Sequence, residues 1–205
     1  MEVGVLALQG DFLEHIQTLR RIGIEAHEVR TAKKLQEIDG LIIPGGESTT
    51  IGMLLEKNGM HGTLRSRIER GMPVFGTCAG TILLAGSVEG RASIGGQLQP
   101  YLGVMDITVQ RNAYGRQLDS FETTLPFRGS DGVSLRALFI RAPQIIRTGP
   151  AVEILVSLPD GNPVAVRERN MLAATFHPEL TEDTHLHSYF LSMKSGDGLS
   201  LFTNC

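Results

Sequence analysis

The most constraining feature of this chain is the alternation of strand and helix signals over its first 90 residues. Strand-like runs fall at residues 3–8, 24–30, 41–43 and 73–76. Those at 3–8 and 41–43 are apolar without a polar alternation, as in strands buried on both faces. Helical spacing follows each. Leu13, Ile16, Leu19 and Ile22 recur on one face before Gly23, and Thr31 caps a short helix through Leu35 and Ile38. Ser48 or Thr49 is expected to cap a helix carrying Ile51, Leu54 and Leu55, and another helix spans residues 64–70. Such alternation predicts right-handed crossovers and a parallel sheet with helices on both faces. Functional residues in these sheets gather at the carboxyl ends of the strands. Gln9-Gly10, Gly45-Gly46-Glu47-Ser48 and Cys78 are therefore expected on one sheet edge, although they are far apart in sequence.

The pattern changes after residue 86. Residues 86–101, rich in Gly, Ser and Gln, read as a loop, and 102–109, 121–125 and 133–140 read as strands. Residues 152–158 and 163–168 flank Pro159-Asp160-Gly161-Asn162 and read as a hairpin. A strand at 171–176 ends at His177-Pro178-Glu179, and a last helix at 186–193 puts Leu186, Tyr189, Phe190 and Met193 on one face. No repeat or linker divides the chain. Residues 1–194 are read as one domain and 195–205 as a loosely ordered tail.

Composition narrows the function classes. Of 205 residues, 41% are hydrophobic and 20% charged, which is globular and not disordered. A net charge of −3 and a pI near 6.1 lack the basic footprint of a nucleic-acid binder. No apolar run is long enough to span a bilayer, and the first residues lack the basic region of a signal peptide. The two cysteines are Cys78 and the terminal Cys205, which do not suggest a structural disulfide. A cytoplasmic setting is expected.

Residues 72–86 carry the first chemical signal. A short strand turns sharply through Gly76-Thr77-Cys78-Ala79-Gly80 into Ile82, Leu83, Leu84 and Ala85, which suit a helix stopped at Gly86. A free cysteine is commonly a small buried hydrophobe. Gly-x-Cys-x-Gly between strand and helix is instead the cysteine form of a nucleophile elbow, with small neighbours that let the chain bend. Backbone N–H groups at the helix start lie near such a sulfur, as around reactive cysteines.

A cysteine nucleophile needs a base, and the base needs an orienting group. His15, His27 and His61 read as surface or packing residues. His185 and His187 sit two apart on a helix and point in different directions, and a zinc site is not expected. His177 follows an apolar strand and shares a side with Glu179 if the segment is extended. Spacing alone leaves open whether Glu179 orients the imidazole or merely opens the next helix. Gly45-Gly46 could turn an N–H into an oxyanion hole together with Ala79, although glycine pairs are also common turn residues. The Gly-Lys-Ser/Thr ending of a phosphate loop is missing.

Gly-Thr-Cys-Ala-Gly, Pro-Gly-Gly-Glu-Ser-Thr and Phe-His-Pro-Glu-Leu together resemble the class I (triad) glutamine amidotransferases. Further segments resemble, more narrowly, the glutaminase subunits of pyridoxal 5′-phosphate synthases. These are Leu8-Gln9-Gly10, residues 111–117 with Asp119-Ser120-Phe121, Ile140-Arg141-Ala142-Pro143 and residues 177–183. The resemblance implies an α/β three-layer sandwich with a central, mostly parallel, flavodoxin-like sheet and an added antiparallel strand section in the second half. It implies Cys78 as nucleophile, His177 as base and acid, and Glu179 as orienter. Gly46 and Ala79 would be oxyanion donors, and Gly46, Glu47, Ser48, Arg111, Ile140 and Arg141 would bind L-glutamine. Neither metal nor cofactor is implied. The implied partner is a synthase subunit that receives the ammonia and builds pyridoxal 5′-phosphate from a pentose phosphate and a triose phosphate; neither nucleic acid nor membrane is expected as a partner. Rival readings are a glutaminase feeding another amination, an α/β hydrolase of other amides or esters, and a non-catalytic binding subunit.

Overall fold

A computed structural model describes residues 1–90, 93–94, 97–111 and 120–193. The first half runs β1 (Val3–Leu6), α1 (Phe12–Arg21), β2 (Ala26–Val29), α2 (Ala32–Glu37), β3 (Gly40–Ile43), α3 (Ser48–Lys57), α4 (His61–Glu69), β4 (Val74–Thr77) and α5 (Ala79–Leu84). It continues through β5 (Ala85–Glu89), the two-residue β6 (Ser93–Ile94) and β7 (Gln97–Leu98), β8 (Met105–Gln110), β9 (Ser120–Pro126) and β10 (Ser134–Ile140). The chain then forms β11 (Gln144–Thr148), β12 (Glu153–Ser157), β13 (Pro163–Glu168), β14 (Met171–Ala174), a 3-10 turn (Pro178–Leu180) and α6 (His185–Ser192).

The main sheet has seven strands in the order β12-β13-β14-β4-β3-β1-β2. The five strands from β14 to β2 are mutually parallel, and β12 and β13 join the β14 edge antiparallel. β1, β3, β4 and β14 are buried at every residue, which explains why their sequences run apolar without alternation. The sheet divides two cores. One face packs Ile43, Val74 and Ala173 against Ile51 and Leu55 of α3, Leu64 of α4 and Leu83 of α5. The other packs Val5, Ile42, Phe75 and Leu172 against Leu19 of α1 and Leu186 and Phe190 of α6. Phe75 and Phe190 are fully buried, with ring centroids 6.0 Å apart; burying such a side chain is worth about 1.5–3 kcal/mol.

The additional strands sit on both faces. β5, β8 and β11 form a three-stranded sheet whose Met105, Ile107, Val109 and Ile145 join the first core. β9 and β10 pair antiparallel and give Leu125, Leu135, Ala137 and Phe139 to the second.

Two expectations are corrected here. Residues 86–101 are not simply a loop, because β5 runs parallel to β8 directly after α5. Gly86 therefore does not stop the helix. α5 ends at Leu84, where Ala85 turns to φ −59, ψ 136, and an ideal Cβ on Gly86 would lie 2.9 Å from the Met105 carbonyl oxygen. β11 was not expected either; of its residues only Ile145 is buried, so no alternation marks it.

Candidate active site

The site lies where the loops after β1, β3, β4 and β14 converge. It begins with Cys78, which leaves β4 at φ 46, ψ −98, a backbone that L residues rarely adopt, and α5 starts at the next residue. The turn is held from both sides. The Cys78 N–H donates to the Ala174 carbonyl at 2.8 Å, and the Thr81 hydroxyl donates to the same carbonyl at 2.7 Å. The flanking glycines are required by close approach. A Cβ on Gly80 would stand 2.2 Å from the Ile43 carbonyl oxygen, and one on Gly76 2.7 Å from the Gly80 backbone. Cys78 is buried and unpaired by any disulfide, and its Sγ lies 4.0 Å from the Ile140 carbonyl oxygen. Ala79 is the first residue of α5, so its N–H has no carbonyl partner within the helix.

His177 is carried in by β14 and its backbone N–H donates to the Leu138 carbonyl of β10 at 2.8 Å. Its Nδ1 is 2.8 Å from Oε1 of Glu179, and the Cys78 side chain is a further polar neighbour of the ring. Both Glu179 and His177 are buried. The alternative left open by spacing is resolved in part: Glu179 does lie in the 3-10 turn after the strand, and from there it holds the imidazole. Burial works against a charged His177, but the hydrogen bonds and charges of Cys78 and Glu179 outweigh it and push its pKa up to about 10. Burial raises the Glu179 carboxyl, with His177 opposing. A thiol, an imidazole and a carboxylate in this order suit nucleophilic attack with proton transfer.

The loop after β3 closes over the imidazole. A Cβ on Gly45 would be 2.4 Å from His177 Cε1. The Gly45 carbonyl accepts from the Asp11 N–H at 3.1 Å. Because the peptide is planar and trans, the Gly46 N–H points away from the β1–α1 loop. Gly46 has φ +147, and Gln9 Oε1 accepts from the next N–H, that of Glu47, at 2.7 Å.

α3 is capped by Glu47 and not by Ser48 or Thr49. Its carboxylate accepts from the N–H groups of Thr49 at 3.1 Å and Thr50 at 2.7 Å. A charged carboxylate one residue earlier reaches both donors at the positive helix end. Burial alone would raise the Glu47 carboxyl, but the Thr50 hydroxyl, donating at 2.8 Å, and these N–H groups lower it. Arg111 joins the same group, donating to Gln99 Oε1 at 2.7 Å and lying 3.4 Å from Glu47 Oε1. Ile140 comes within reach of Cys78 through its carbonyl, and Arg141 follows at φ 46 and is exposed. The part of the 111–121 motif at residues 112–119 lies outside the described residues, as do residues 194–205 with Cys205.

Asp11, His177 and Glu179 place their ligating atoms within 4.8 Å of one another. His177 Nδ1 is hydrogen-bonded to Glu179 at 2.8 Å, with Asp11 Oδ2 3.6 Å from the same nitrogen.

The family profile for SNO glutamine amidotransferases matches residues 5–195. The chain belongs to that family. Among curated members, pyridoxal 5′-phosphate synthase subunit PdxT of Dehalococcoides mccartyi is 54% identical over 193 residues, covering 94% of this chain and 97% of its own. The PdxT of Corynebacterium jeikeium is 52% identical over 199 residues, covering 97% and 100%. A crystal structure of a glutamine amidotransferase superposes with a TM-score of 0.88 at 49% identity, over 95% of this chain and 100% of that one. PurLQS from Thermotoga maritima shares the fold, with a TM-score of 0.64 at 15% identity over 97% of this chain and 96% of that one.

Within this glutamine amidotransferase fold, some neighbours of the candidate site escaped the sequence. Gly45 packs on the His177 ring, and Asp11 lies 3.6 Å from His177 Nδ1. His15, expected to be a surface or packing residue, is fully buried with its Nε2 3.6 Å from Glu179 Oε2. The available signal was position: Asp11 directly follows the Gln9-Gly10 turn, and His15 lies one helical turn beyond it.

Proposed function

We propose that this chain is the glutaminase subunit of a pyridoxal 5′-phosphate synthase, hydrolysing L-glutamine and passing the ammonia to a synthase subunit. The observation that carries the reading is Cys78 at φ 46 on the elbow, beside an imidazole whose Nδ1 is held at 2.8 Å by a buried carboxylate. The Cys78 thiolate attacks the side-chain amide carbon of glutamine. Backbone N–H groups of Ala79 and Gly46 take the oxyanion, each such donor contributing about 3–4 kcal/mol. His177 protonates the departing nitrogen, the C–N bond breaks and ammonia leaves. His177 then takes a proton from water, which cleaves the γ-glutamyl thioester to glutamate and frees the thiol.

Glutamine arrives as a free amino acid with a carboxylate and an ammonium. Arg111 and Arg141 supply positive charge and Glu47 negative charge, with Gly46, Ser48 and Ile140 as the other glutamine-binding residues. Residues 1–194 act as one glutaminase domain, a reading supported by the extent of the family match. Among the described residues no helix is long and apolar enough to cross a membrane.

The test is to purify the chain with the synthase subunit of a pyridoxal 5′-phosphate synthase, supply glutamine, a pentose phosphate and a triose phosphate, and measure glutamate and pyridoxal 5′-phosphate. Coupled formation of both is expected. Glutamate release that no synthase subunit accelerates, with no pyridoxal 5′-phosphate formed, would refute the assignment of the acceptor.

A further inference from the structure

Behind the candidate triad lies a buried polar group that the reaction does not use. His15 on α1 and His187 on α6 are both fully buried. His15 Nδ1 is 2.9 Å from His187 Nε2, and His15 Nε2 is 3.0 Å from the hydroxyl of Thr77, the residue before Cys78. The same Nε2 is 3.6 Å from Glu179 Oε2, an oxygen that accepts no hydrogen bond among the described residues. His187 Nδ1 is likewise buried without a partner among them. Phe75 meets both rings nearly edge-on, at interplanar angles of 81° and 82°.

The tautomers follow from counting protons. Both imidazoles are neutral, since burial, and for His15 also the neighbouring imidazoles, holds their pKa values low. The 2.9 Å contact therefore contains one proton. If His15 supplies it, His15 Nε2 is bare; it can accept from the Thr77 hydroxyl at 3.0 Å, but its lone pair also lies 3.6 Å from a carboxylate oxygen. His187 would then also carry a buried, unpaired N–H. If His187 supplies it, His15 is protonated at Nε2 and its N–H donates to the Thr77 hydroxyl at 3.0 Å, with Glu179 Oε2 3.6 Å from the same nitrogen. The atom left over is then a bare acceptor on His187. Orphaned buried donors are rarer than under-satisfied acceptors, and the second arrangement also removes the lone-pair repulsion.

We propose that His15 is a positioning residue for the glutaminase site, its Nε2–H facing Glu179 Oε2 so that Oε1 stays turned to His177. His187 fixes that tautomer from behind, and Thr77 ties the same N–H to the strand that carries Cys78. His15 touches neither substrate nor the reacting atoms. The inference rests on the triad reading given above.

Two measurements test it. In the wild-type chain, long-range proton–nitrogen NMR correlations report which ring nitrogen is protonated. Protonated Nε2 on both His15 and His187 is expected; a bare Nε2 on His15 would overturn the proposal. This readout needs no activity, so it separates failure of the proposal from failure of the glutaminase reading. The second measurement is glutaminase turnover of the subunit with its synthase partner. His15→Leu should lower kcat about 10–100-fold, the range seen when outer orienting partners are removed, with KM for glutamine unchanged. His15→Gln, which restores an N–H near Nε2, should recover most of the loss. In a Glu179→Gln background His15→Leu should cost little more, because the group it positions is already altered. An undiminished further loss in that background would overturn the proposal. If His15→Leu does not fold, His15→Gln and the wild-type tautomers still decide it.

Discussion

Gly45→Ala probes the site through one methyl group. Gly45 lacks a left-handed φ, so alanine meets no backbone penalty there. The new Cβ would lie 2.4 Å from His177 Cε1, 2.8 Å from Nδ1 and 3.1 Å from Asp11 Oδ2. Non-bonded carbons settle about 3.5–4.0 Å apart, so the imidazole must retreat by about 1 Å or more. It cannot do so while keeping its 2.8 Å bond to Glu179 and its place beside Cys78. A 1 Å misplacement can cost about 10²-fold in rate, equivalent to about 2.7 kcal/mol of barrier. Overpacking of this kind also destabilises by about 1–3 kcal/mol, which for a chain of this size lowers Tm by about 2–12 °C. The assay is glutamate release by the subunit with its synthase partner, coupled to glutamate dehydrogenase, with circular dichroism to confirm folding. Gly62→Ala is the control, since a Cβ there meets nothing within 4 Å. Unchanged turnover in folded Gly45→Ala would refute the idea that His177 must stay where this loop holds it.

Other expectations follow from the same geometry. Cys78→Ala should abolish ammonia release while the chain stays folded, and peptide mass spectrometry of the alkylated wild type should find Cys78 labelled. Glu179→Gln should lower turnover, His177→Asn should be at least as damaging, and the double variant should be little worse than His177→Asn alone; multiplied losses would show Glu179 to be only a turn residue. Stability should depend on pH on both sides. His177 has its pKa raised from 6.5 to about 10, so its contribution is complete below 6.5 and is lost as pH rises through about 10. His187 is lowered from 6.5 to about 3, so its contribution is present above 6.5 and is lost as pH falls towards 3. Thermal melts across pH 3–10 check both limbs, and His187→Phe should flatten the acid limb.

The centre of the sheet was legible because β1, β3, β4 and β14 are buried at every residue. Residues 3–8 and 41–43 could only be interior strands, and the helices between them carried their own spacing and stops, with Thr31 accepting from Lys34 N–H at 3.2 Å as expected. What failed lay at the margins of burial. β5 buries only Ala85, and β11 only Ile145. Such strands are recruited by pairing with β8 and not by a pattern of their own. The cap of α3 was misread because Ser48 and Thr49 have better capping propensity than the glutamate before them. The carboxylate wins because it is one residue earlier and accepts from two N–H groups.

The candidate triad was legible for a different reason: each part sits on a turn whose composition is unusual. Gly-x-Cys-x-Gly and His-Pro-Glu are local strings, and both ends of the Cys78–His177–Glu179 chain fall inside them. The supports are not local. Gly45 is needed because the His177 ring rests on it, 132 positions away in sequence, and His15 meets His187 across 172. Nothing around His15 in the sequence distinguishes it from His61, which also opens or rides a polar helix; one faces Glu179 while the other reaches the Tyr101 carbonyl. The difference is made by topology. α1 leaves the switch point of the sheet beside the β3 loop, and its first turn must pass under whatever β14 brings there. A histidine on that turn therefore faces the back of the triad, whereas one on α4, packed against the opposite core, does not.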